Sequence, residues 1–185
     1  DENPRRLYWQ HLPVSNGLGT VERGAGVMGQ NIHVASAGTI AGGQPAEQHA
    51  VDVMADRGIN ISSHRSHKLA AVDIEAADLV LCMAREHVLT AAGKVFNAFE
   101  RIFTIKDYVA RASALGPKPQ DKSLQEWLTA LGAGRSHSDL LRPDPELDVA
   151  DPLGQGRRSY ERTETELDAL SWAVLDLLAG YPPRA

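Results

Sequence analysis

A single cysteine, Cys82, stands in a chain of 185 residues. No intramolecular disulfide can form and no cysteine-rich zinc site can be built, so the expected compartment is the reducing cytoplasm. Long apolar runs are missing as well. None reaches the roughly 20 residues that cross a bilayer, and no membrane association is expected. Positive charge is not in excess: 19 lysines and arginines face 24 acidic residues, for a net charge of −5. Binding to a nucleic-acid backbone needs clustered cations, so no nucleic-acid partner is expected. The opening Asp1-Glu2-Asn3-Pro4-Arg5-Arg6 lacks the apolar stretch of a secretory leader.

What is present suits one globular domain over residues 1–185. Hydrophobic residues make up 43% and charged residues 23%, an ordinary balance for a chain that can bury a core without staples. Residues 1–31 read as irregular, with five glycines between Gly17 and Gly29 and a helix remnant over Arg5–Leu12. From Ile32 the pattern sharpens. Ile32–Ser36, Asp78–Met83 and Arg101–Thr104 read as strands. Helices are expected from Gln44-Pro45 to Gly58, over Arg85–Ala92, near Lys106–Ala112, and over Arg158–Ala179, where apolar residues fall at helical spacing before Gly180. Residues 113–147 form a Pro/Gly-rich insert. Ser123 and Glu126 within it make a capping-box pattern for a short helix. Strands alternating with helices predict an α/β fold: three layers, with a mostly parallel sheet between helices.

Four motifs bear on chemistry. Gly24–Gly29 spells G-x-G-x-x-G. The nucleotide-binding version follows a strand and opens a helix, whereas this one is followed by a strand, so nucleotide binding is the minor alternative. His64 and His67 are spaced like metal ligands on a helix, but no third ligand stands near, and neither a metal nor a cofactor is expected. Cys82 lies in an apolar run, the setting of an inert buried thiol. Asp151 precedes Pro152, a turn signature, inside an acidic stretch. Like charges there could raise a carboxyl pKa toward that of a proton donor.

Taken in order, several segments resemble one family. They are Val34–Thr39, Gly43-Gln44-Pro45, Arg57–Ser66, Ala77–His87 and Asp148–Pro152, with Tyr160 opening the last helix. In this sequence and spacing they resemble the low-molecular-weight protein-tyrosine phosphatases, with the Arg101–Tyr108 segment and the insert similar to the larger actinobacterial-type members. The resemblance spans about residues 32–180. It implies the phosphotyrosine phosphatase I-like fold, a four-stranded parallel sheet flanked by helices, and hydrolysis of phosphotyrosine proteins or small phosphomonoesters. In that reaction the cysteine of a C-x5-R loop attacks phosphorus, and an aspartate of an Asp-Pro loop protonates the leaving group. Asp151 matches that acid. Ser36 and His64 match the residues that brace the phosphate loop.

The departure is the nucleophile. No C-x5-R occurs: the position six beyond Cys82 is Val88, and no cysteine precedes Ile32. The expectation is therefore a sheet whose first central strand is missing, a chain that either begins downstream of the catalytic loop or has lost it, and no phosphatase turnover. The alternative is a non-catalytic pseudophosphatase that binds a partner or a phosphorylated ligand.

Overall fold

The computed structural model describes residues 5–10, 32–39, 42–141 and 144–181. Four parallel strands lie side by side in the order β2-β1-β3-β4. They are β1 (Arg5–Gln10), β2 (Ile32–Ala37), β3 (Leu79–Cys82) and β4 (Ile102–Thr104). The structure corrects the reading of the N-terminus. Arg5–Gln10 is a strand, not a helix remnant, and the central place expected to be empty is filled. It pairs along its whole length with Ile32–Ala37 on one side, and from Leu7 to Gln10 with Leu79–Cys82 on the other. The reason is local and energetic. Leu7-Tyr8-Trp9 is a run of three residues at home in strands or buried sheets, free of Gly and Pro. An unfilled slot would orphan backbone groups on two strands at about 1–3 kcal/mol each. The Gly24–Gly29 motif lies outside the described residues.

Six helices are described: α1 (Gln48–Asp56), α2 (Ala71–Ala76), α3 (Arg85–Lys94), α4 (Ile105–Leu115), α5 (Leu124–Gly132) and α6 (Arg157–Ala179). Strand alternation sorts the core into two layers. Leu79, Leu81 and Phe103 face Tyr108, Trp127, Leu128 and Leu177 from α4, α5 and α6. Val80, Cys82 and Ile102 face the other way, onto Ile74, Val88 and Ala91 from α2 and α3. A third cluster joins α1 to the start of α6 through Val53, Met54 and Tyr160.

The α1 helix begins later than its proline suggests. Glu47 is the N-cap and accepts from the His49 N–H at 2.7 Å. Pro45 instead bridges Arg65, because residues 42–45 are engaged with the segment around Ser66. Ser123 and Glu126 cap α5 reciprocally as the sequence implies. The start of the insert closes the end of α6: the Lys118 N–H donates to the Leu177 carbonyl, and the Gln120 side-chain amide to the Ala179 carbonyl.

Candidate active site

Parallel strands bring all their C-terminal ends to one edge, the usual place for a site in an open α/β sheet. Here that edge receives the ends of β1 at Gln10, β2 at Ala37, β3 at Cys82 and β4 at Thr104.

On the β2 side, Ser36 is the penultimate strand residue, opposite Trp9 of β1. The chain after it is tied to the loop that carries His64. The Gly38 N–H donates to the His67 carbonyl at 2.7 Å, the Leu69 N–H to the Gly38 carbonyl at 2.8 Å, and the Gly43 N–H to the Ser66 carbonyl at 2.6 Å. The Ser66 hydroxyl accepts from the Gln44 N–H. Gly43 has φ of 79°, a conformation that side-chain-bearing residues adopt at a cost. His64 is half-buried, and burial together with the neighbouring Arg65 lowers its pKa, favouring the neutral imidazole. His67 does not join it as a ligand. It pairs with Asp73 at 2.9 Å, and among the described residues no cluster of three or more metal-binding side chains occurs.

On the β3 side hangs the Asp-Pro loop. Its root is bonded at every residue. The Val149 N–H donates to the Met83 carbonyl at 2.8 Å, extending the line of β3. Asp148 Oδ1 accepts from the Arg85 N–H at 2.9 Å, and its carbonyl accepts from Lys106 Nζ at 2.8 Å. The Ala150 carbonyl accepts from the Thr163 hydroxyl. The tip is different. Asp151 is exposed, and its carboxylate accepts from the Leu153 N–H at 2.9 Å in a closed turn that continues through Gly154, φ 75°. Behind the tip the Tyr160 phenol is buried. Burial, then the Glu47 and Asp151 carboxylates, pushes its pKa up to about 12, so it stays a neutral hydroxyl.

Ser36, His64 and Asp151 therefore arise on segments anchored at the same edge of the sheet, and no hydrogen bond joins them among the described residues. Cys82 is fully buried against the α2/α3 layer. Burial raises its pKa; the Arg135 guanidinium acts in the opposite direction and is outweighed. Four residues support the loop: Arg85, Lys106 and Asp148 lie in segments that carry the resemblance but are given no role by it, and Thr163 lies in none of them. Only Arg85, placed just after a strand end, carries a positional hint.

A sequence model of the low molecular weight phosphotyrosine protein phosphatases matches residues 20–131. The chain belongs to this family. The protein-arginine-phosphatase of Bacillus subtilis (strain 168) is 29% identical over 143 residues, covering 77% of this chain and 73% of its own. A probable low molecular weight protein-tyrosine-phosphatase, EpsP of Ralstonia solanacearum, is 47% identical over 53 residues, 28% of this chain and 37% of the relative. The solved structure of the low molecular weight protein tyrosine phosphatase from T. tengcongensis superposes with a TM-score of 0.69 at 26% identity, covering 95% of this chain and all of that one. This phosphatase-family chain thus has the expected α/β fold. No described helix is long and apolar enough to cross a membrane.

Proposed function

We propose that this chain is a phosphatase-family scaffold that keeps the acid side of the reaction and lacks the attacking thiolate, so that it does not hydrolyse phosphomonoesters. One observation carries this: the sole cysteine is fully buried, with its pKa raised. A thiolate nucleophile needs an accessible, electropositive setting. Asp151 is read as the general acid, and Ser36 and His64 as braces of the phosphate loop. The ligand class is a phosphotyrosine protein or a small phosphomonoester; the Bacillus relative adds phosphoarginine as a candidate class. The working compartment is the cytoplasm. The test is p-nitrophenyl phosphate hydrolysis. Background rates support the reading, and turnover abolished by Asp151→Asn overturns it. As a pseudophosphatase the chain would bind phosphate weakly, since its sequence holds no C-x5-R to supply the loop's arginine. Saturable NMR shifts at Ser36, His64 and Asp151 on titration with phosphotyrosine favour ligand binding over pure scaffolding.

One observation favours a second reading, in which the gene still encodes the nucleophile. The family match begins only at residue 20. Read one base forward, the codons for Leu7–Val14 can spell cysteine across Leu7-Tyr8 and arginine across Pro13-Val14, with five codons between. That is C-x5-R. The Trp9-Gln10 junction gives glycine whatever synonymous codons are used. Cysteine requires CTG or TTG at Leu7, and arginine requires CCG at Pro13. Sequencing the coding DNA decides it: both codons support a displaced reading frame that returns before residue 20, and any other codon at either position removes it.

A further inference from the structure

The α3 helix has a defect at its start. Its N-cap is Ala84, which has no side-chain oxygen to offer. The first N–H groups of a helix need an acceptor, and a carboxylate there also meets the positive end of the helix dipole. The acceptor comes from far along the chain: Asp148 Oδ1 takes the Arg85 N–H at 2.9 Å, across 63 residues. The same residue reaches out with its side chain. Arg85 Nη1 donates to the Asp139 carbonyl at 3.1 Å, and Nη2 pairs with the Asp144 carboxylate at 3.2 Å. The Arg85 side chain is only 14% exposed, within a cleft of about 110 Å³ shared with Thr104, Asp107, Arg135 and Leu147.

We propose that Arg85 is a positioning residue for the Asp-Pro loop. Its guanidinium holds Asp139 and Asp144 while its backbone holds Asp148, and together they fix the root from which Asp151 projects. The planar fork of arginine suits this role, because two acceptors on different turns are reached at once, which an ammonium point charge does less well. Asp139 and Asp144 both belong to the C-terminal part of the insert. Through the clamp, that segment ties the loop root to the first turn of α3. Lys106 reinforces the grip from the other side, bonding the Asp148 carbonyl while pairing with Glu166 of α6 at 2.6 Å. The purpose of the clamp rests on reading Asp151 as the acid, but its geometry does not.

Amide hydrogen exchange on the full chain, followed by NMR, tests it. In Arg85→Ala the Val149 and Leu153 amides are expected to exchange roughly tenfold faster, while Leu177 in the core stays near its original rate. Arg85→Lys is expected to fall between the two. Unchanged exchange at Val149 and Leu153, an equal rise at Leu177, or full protection in Arg85→Lys each overturns the proposal. If Arg85→Ala does not fold, Asp144→Asn removes only the carboxylate charge at a half-exposed position. A rise of about threefold confined to the same amides supports the clamp, and no rise rejects it. None of these readouts uses turnover. Hydrolysis of p-nitrophenyl phosphate would therefore sink the missing-nucleophile reading and leave the clamp standing.

Discussion

Cys82 ends β3 with no exposure at all, while Asp151 stands in solvent on the loop whose root is bonded to the very next residue, Met83. Both are ionisable side chains at this edge, and their surroundings are opposite. The thiol packs against the α2/α3 layer, where low polarity holds it protonated. The carboxylate is exposed, and among the described residues its one hydrogen bond is the turn it makes with Leu153. Reactivity follows the environment rather than the residue type: the better intrinsic nucleophile is the one packed as a hydrophobe.

The sharpest way to break that comparison is a thiol reagent. Cys82 should react only when the chain opens, at a rate suppressed by on the order of 10³-fold or more relative to the urea-unfolded protein. Rapid labelling of the native chain, read by mass spectrometry, would put the thiol at the surface. Substitution probes the same burial. Cys82→Asp forces a carboxylate into the apolar layer and should cost about 3–5 kcal/mol in chemical denaturation. Tolerance within about 1 kcal/mol would show that water reaches the site.

Glu164 of α6 sharpens the contrast, being buried like Cys82 yet paired with a cation. Its side chain is 5% exposed and meets Arg57 at 2.5 Å. Burial raises its pKa more than Arg57 lowers it. A raised carboxyl pKa means the folded state binds the proton more tightly than the unfolded one. The cost of ionisation is present in full above the folded pKa and vanishes as pH falls below the unfolded value. Glu164→Gln should therefore compare more favourably with the parent at about pH 7 than at about pH 4 in urea denaturation. The opposite trend would show that the ion pair outweighs burial.

Legibility in the sequence follows the same divide between local and distant causes. The long α6 is readable because its apolar residues recur on one face and Gly180, at φ 89°, stops it. The cap of α5 is readable because Ser123 and Glu126 lie three residues apart. Cys82 is legible as a buried thiol because its strand neighbours are apolar. β1 misleads, since Arg5–Gln10 has no alternation and becomes a strand only by pairing with segments more than twenty residues away. The start of α1 is displaced from its sequence signal because Pro45 answers to Arg65 rather than to the helix. Asp151 is visible as an Asp-Pro turn, but the supports of its loop are not. The contact between Asp148 and Arg85 depends on an alanine failing to cap a helix and on a chain returning 63 residues later.

Within the loop, two aspartates three residues apart give the smallest and most discriminating contrast. Asp148→Ala removes the acceptor at the start of α3 and should cost about 1 kcal/mol, the usual worth of a helix-capping oxygen with its dipole contribution. Asp151→Ala removes only a bond between groups already in water, and should stay within about 0.5 kcal/mol. Equal losses in the two variants, measured by thermal or urea unfolding, would mean that the tip is packed as firmly as the root. Unequal losses would locate the stability of the loop in its root, where each residue is hydrogen-bonded, rather than in the Asp151 carboxylate at its tip.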